Sequence, residues 1–121
     1  MKKENIIQTK SYDFALSCIK LFKKLTQEQH EYILSKQVLR SGTSIGANIE
    51  EAIGGQSTKD FLSKMAISYK EARETHYWLR LLRDSNYICK EESESLIKNC
   101  EELLRIIGSI QKTTKLKIRN S

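Results

Sequence analysis

Residues 37–52 read Gln37-Val38-Leu39-Arg40-Ser41-Gly42-Thr43-Ser44-Ile45-Gly46-Ala47-Asn48-Ile49-Glu50-Glu51-Ala52, and their spacing decides the fold. Val38, Ile45, Ile49 and Ala52, with Leu34 one turn earlier, recur at helical intervals and make one apolar face. Beside it, Gln37, Arg40, Ser44, Asn48 and Glu51 step by 3, 4, 4 and 3 residues and make a polar stripe. Ser41, Gly42, Gly46 and Ala47 are interleaved with this stripe, and their small volumes let another helix approach closely. Each glycine costs a helix interior about 1 kcal/mol relative to alanine, so close packing or function must compensate. The pattern predicts a helix over residues 28–54. Thr26-Gln27-Glu28-Gln29 has the T-x-x-Q form of a capping box at its start, and Gly54-Gly55 offers left-handed geometry at its end.

Outward from this segment the same periodicity recurs. Phe14, Cys18, Leu21, Phe22 and Leu25 share one face of a helix predicted over residues 10–24. Ser57 or Thr58 can cap a third, over 58–84, whose main apolar face holds Phe61, Met65, Tyr69, Ala72, His76 and Leu79. A second face of that helix carries Ile67, Glu71, Glu74, Trp78 and Leu81. An Arg40 placed near Glu71 or Glu74 would find its counter-charge there, and the indole beside them suggests cover by another subunit. The fourth helix, over 90–113, opens with Glu91, Glu92 and Glu94, which favour the positive end of a helix dipole, and buries Leu96, Cys100, Leu103, Leu104, Ile107 and Ile110. Four amphipathic helices with short joints imply one all-α domain over 1–121, an antiparallel up-down-up-down bundle.

Composition agrees: proline is absent and glycine occurs five times in 121 residues, too little punctuation for a sheet protein. Lys and Arg number 21 against 15 Asp and Glu, a net charge of +6, so the surface should attract polyanions in a salt-dependent way. After Ser109 no acid follows, and Lys112, Lys115, Lys117 and Arg119 make a basic tail, 112–121. With Lys20, Lys23 and Lys24 these are the candidate RNA or DNA contacts. No sequence-reading signature is present, so recognition would run through phosphate. The opening MKKENIIQTK lacks a signal peptide's apolar stretch and no membrane span is present, which gives the expectation of a cytosolic protein without membrane contact. Cys18, Cys89 and Cys100 are odd in number and widely spaced, and read as core thiols rather than disulfides or zinc ligands.

Chemistry-bearing motifs fail on context. Gly42-Thr43-Ser44-Ile45-Gly46 matches the G-x-S-x-G nucleophile elbow, which needs a strand before it and a large sheet beneath it. A di-iron bundle needs Glu-x-x-His pairs, and the chain has none. His30 reads as a solvated joint residue. The expectation is a protein with no catalytic residues, no metal and no cofactor.

Gln37 through Ala52, followed by Lys70-Glu71-Ala72-Arg73-Glu74-Thr75 and Tyr77-Trp78-Leu79, resembles a known family. These are the four-helix-bundle proteins first noticed as reading frames inside intervening sequences of bacterial 23S ribosomal RNA genes. The chain is also similar to the accessory proteins of diversity-generating retroelements. The resemblance implies a ring-like homopentamer with no known enzymatic activity. It further implies, as partners, nucleic acid and a reverse transcriptase or other protein. It marks Arg40, Ser44, Asn48, Glu51, Glu71 and Glu74 as characteristic polar positions. A scaffold that meets only protein partners is the alternative.

Overall fold

A computed structural model describes residues 3–120, so Met1, Lys2 and Ser121, the last residue of the expected tail, lie outside it. Four helices make up the described chain: α1 (Lys3–Gln29), α2 (Leu34–Ile53), α3 (Thr58–Asp84) and α4 (Lys90–Arg119), with no strand among the described residues. Each packs against its chain neighbours, and α1 also meets α4, which closes the bundle. Gln8 meets Glu50 while Cys18 lies against Gly42; Glu51 meets Lys64 while Ser41 meets Thr75. On the far side Tyr69 lies against Gly108 and His76 meets Glu101, and Lys10 and Lys24 pair with Glu102 and Glu92. In every seam the partners run in opposite chain order, so adjoining helices are antiparallel, as short joints require.

The helix ends depart from the sequence expectation for local reasons. α1 is longer than 10–24 at both ends, and its N-terminal extension buries Ile7. Thr26 caps nothing: its hydroxyl donates back to the Phe22 carbonyl at 2.9 Å, inside α1. The helix stops instead at His30, with φ 52°, where the Glu31 N–H reaches the Leu25 carbonyl at 3.0 Å. α2 therefore starts at Leu34, not near residue 28. The Glu31 carboxylate accepts the N–H groups of Ile33, Leu34 and Ser35 at 3.2, 3.0 and 2.7 Å. A helix N-terminus presents unpaired amides and partial positive charge, and one carboxylate meets both. Burial alone would raise the Glu31 pKa, but the amides of Leu34, Ser35 and Ile33 outweigh it and the net shift is downward.

Gly54 ends α2 at φ −84°, so the expected left-handed glycine is not used; the positive-φ positions are His30 and Asn86, at 52° and 67°. At α3 the Ser57 hydroxyl accepts the Asp60 N–H at 3.0 Å and holds the first turn. α4 passes residue 113 and continues to Arg119, so the expected tail is helical. In the extension Thr114 and Lys117 line the α2–α3 joint beside Phe61, which gives the extra turns something to pack on.

The core is one cluster. α1 supplies Ile7, Phe14, Cys18, Leu21 and Leu25; α2 supplies Val38, Ile45, Ile49 and Ala52. Met65, Ala72, Leu79 and Leu82 enter from α3, and Leu96, Cys100, Leu103, Ile107 and Ile110 from α4. Cys89 departs from its expected place in the core: it precedes α4 at the surface, while Cys18 and Cys100 are buried. Burial pushes both core thiols up to about 12, with each other's proximity adding to the shift at Cys18.

Candidate functional site

The polar stripe of α2 divides into three parts. At its N-terminal end the Arg40 guanidinium joins α2 to α3: Nη1 lies 3.3 Å from Glu71 Oε2, and Nη2 contacts Glu74 Oε2. The Gln37 amide oxygen accepts from Arg40 Nε and Nη2 at 3.3 and 3.0 Å, and Trp78 Nε1 donates to Glu74 Oε2 at 2.9 Å. Arg40 thus spans two carboxylates spaced one turn apart instead of forking onto one, and its side chain is 50% exposed. In the middle, Asn48 donates to the Ser44 carbonyl at 2.9 Å and stays within α2. At the far end Glu51 pairs with Lys64 at 3.3 Å. The structure brings together Gln37, Arg40, Glu71, Glu74 and Trp78, and leaves Ser44, Asn48 and Glu51 outside that cluster.

Beneath it lies a second set of contacts that the sequence reading passed over. Thr75 Oγ1 sits 2.8 Å from Ser41 Oγ and 2.8 Å from the Glu71 carbonyl, and Ser41 donates to the Gln37 carbonyl at 2.8 Å. Farther along the seam, Ser68, two turns before Thr75, donates to the Ile45 carbonyl at 2.8 Å. All three hydroxyls are buried and all are hydrogen-bonded, so they join the helices without an unpaired polar group. The signal was present: Ser68 and Thr75 occupy the same helical face as Met65, Ala72 and Leu79.

The two glycines serve α1. A Cβ at Gly42 would collide with the Cys18 thiol and lie 3.1 Å from Cys18 Cβ, and one at Gly46 would lie 3.3 Å from Ser11 Oγ. The helix-propensity cost of both is offset by backbone-close packing of α1 on α2. α2 is therefore gripped on both flanks, by glycine contact toward α1 and by hydroxyls and an arginine toward α3.

Ser44 lies inside a helix with no strand before it, and His76 turns to α4, with Nε2 3.1 Å from Glu101 Oε2. Among the described residues no group of three or more His, Cys, Asp and Glu side chains could hold a metal ion. No described helix is long and apolar enough to cross a membrane. The basic candidates fall in separate places. Lys24 is paired with Glu92 at 2.9 Å, which raises its pKa, and with Lys20 and Lys23 it lines a cleft of about 490 Å³ between α1 and α4. Lys112, Lys115 and Arg119 are exposed on α4, while Lys117 flanks the α2–α3 joint.

These features define a class: a small antiparallel helical bundle in which Arg40, Glu71, Glu74 and Glu51 hold helix to helix. Within that class, the chain belongs to the 23S rRNA-intervening sequence protein family, whose description matches residues 3–109. It is similar to a crystal structure at 1.70 Å of a protein with unknown function from the S23 ribosomal protein family, from Bacteroides thetaiotaomicron. The two are 48% identical with a TM-score of 0.90, over 92% of this chain and 99% of that one. No curated protein matches.

Proposed function

We propose that the protein is a non-enzymatic cytoplasmic bundle that assembles with copies of itself and binds RNA or DNA through phosphate. It would act as an accessory or scaffold in a complex such as one built around a reverse transcriptase. The observation that carries the reading is charge: Lys112, Lys115, Lys117 and Arg119 project from one helical segment that holds no acid, in a chain of net charge +6. Retention of an RNA or DNA probe that falls steeply between 50 and 200 mM salt, as counterion release requires, would support it, and absence of binding at low salt would refute it.

Self-association draws support from a different surface. Tyr12, Leu16 and Ile19 are 64%, 50% and 36% exposed and follow helical spacing on α1. Ile67, Tyr77 and Leu81 are likewise exposed on α3, around the half-buried Trp78. A closed ring, the homopentamer of the family resemblance, would cover one stripe with the other from the next copy. Sedimentation tests this: an assembly at micromolar concentration is expected, and monomer alone would contradict it. The same apolar surfaces favour the second reading, a protein scaffold without nucleic acid. Binding absent at low salt, together with intact assembly, would select it.

A further inference from the structure

Four cations lie seven residues apart along α4: Lys98, Arg105, Lys112 and Arg119. At 3.6 residues per turn, seven-residue steps drift by only about 20°, so the four form a nearly straight line on one side of the helix. The 21 residues between the first and the last rise about 32 Å at 1.5 Å each. All four are exposed, and none is ion-paired with a described side chain. α3 adds Arg73 and Arg80, both exposed, on the flank that adjoins α4. The registers His76 to Glu101 and Tyr69 to Gly108 set these two arginines beside the line. Arg80 is held at the surface by the His76 carbonyl, 3.4 Å from Nε, with its guanidinium 5.8 Å from the centre of the Tyr77 ring.

Several cations elsewhere are neutralised. Arg40 is bound to two carboxylates, and Lys10, Lys24 and Lys64 each hold one. Of the acids beside the α4 line, Glu101 is engaged by His76 and Glu102 by Lys10, with Arg105 and Lys98 adding to the field that lowers the Glu102 pKa, while Glu91 and Glu94 are exposed at its N-terminal end. The outward stripe of α1 is apolar. The α3–α4 side thus carries an aligned run of unpaired cations, whereas α1 sets an apolar stripe beside two unpaired lysines, Lys20 and Lys23.

We infer that the outward α3–α4 face is the surface that binds nucleic acid, with a phosphate backbone laid along Lys98, Arg105, Lys112 and Arg119. This rests on the nucleic-acid reading above, extends it from Lys112 and Arg119 back along α4 to Lys98, and leaves out the α1 lysines. Contact is to backbone charge, without base selection.

The test uses the full chain and a 30-base-pair duplex, with a single strand of the same sequence for comparison, followed by fluorescence anisotropy from 50 to 200 mM salt. Lys98→Gln, Arg105→Gln, Lys112→Gln and Arg119→Gln are combined in one variant, and Lys20→Gln with Lys23→Gln in another. The α4 variant is expected to flatten the plot of log K against log salt by about 3.6 on B-form DNA, since each lost phosphate contact removes about 0.9. The α1 variant should keep the parent slope. These are exposed positions, so both variants should melt with the parent. A parent that binds with an α4 variant of unchanged slope would overturn this face while leaving nucleic-acid binding intact, as would loss confined to the α1 variant. A parent that binds neither probe at 50 mM would overturn the nucleic-acid reading itself.

Discussion

The two flanks of α2 and the α1–α4 seam solve the same packing problem with different means. Around α2, Gly42 and Gly46 let α1 approach to backbone contact, and Ser41, Ser68 and Thr75 bond across to α3 from buried positions. Between α1 and α4 run two partly exposed ion pairs, Lys10–Glu102 and Lys24–Glu92, both at 2.9 Å, with clefts beside them. Close packing tolerates no added volume, whereas exposed ion pairs are worth little and are screened by salt. Residue identity is therefore most constrained along α2, and the α4 side is left to carry surface charge.

The difference can be broken deliberately. Gly42→Ala is expected to have the largest effect, a loss of about 1–3 kcal/mol in chemical denaturation, because the new methyl meets Cys18 in a full core. Adding Cys18→Ala should recover most of that loss; failure to recover it would mean that the glycine serves something other than room for the thiol. Glu31→Ala should cost about 1 kcal/mol, the value of a lost cap. Its pH dependence has a definite sign. The folded pKa is lowered, so the contribution is present above the unfolded value of about 4.3 and lost as pH falls through the lower folded value. The variant should thus lose less stability than the parent over that acid interval.

Smaller effects sharpen the comparison. Arg40→Ala should cost about 1 kcal/mol or less, not the roughly 3–5 of a fully buried pair, because solvent reaches half of the side chain. A larger loss in the assembled protein than in the monomer would show that a neighbouring copy covers it. The smallest effect falls on the other seam: a double-mutant cycle on Lys10 and Glu102 should give a coupling of about 0.5 kcal/mol or less, vanishing in high salt.

Helical periodicity made the four helices and most of the core legible, since Ile45, Ile49, Leu103 and Ile107 could bury only on one face. The Arg40 cluster was legible as well, because Glu71 and Glu74 share a face of α3 that pairs naturally with the α2 stripe. Glu31 was not. Its partners are backbone amides, and Thr26 and Gln29 imitated a cap more closely than Glu31 did. The buried hydroxyls were missed because serine and threonine count as polar in a periodic pattern, although a hydroxyl that bonds a carbonyl across a seam packs like a core residue. The length of α4 was hidden by its lysines, since Thr114 and Lys117 find their contacts on a joint distant in sequence. The positive line on α4 needed the helix to reach Arg119 before it gained its last member.

Native-state amide hydrogen exchange of the free protein tests most directly that α2 is a continuous rod gripped from both sides. The amides of Ser41 through Ile49 should be among the slowest in the chain and exchange only through global unfolding, while those of Lys112 through Arg119 exchange far sooner. Fast exchange centred on Gly42 and Gly46, with the end of α4 protected, would contradict it.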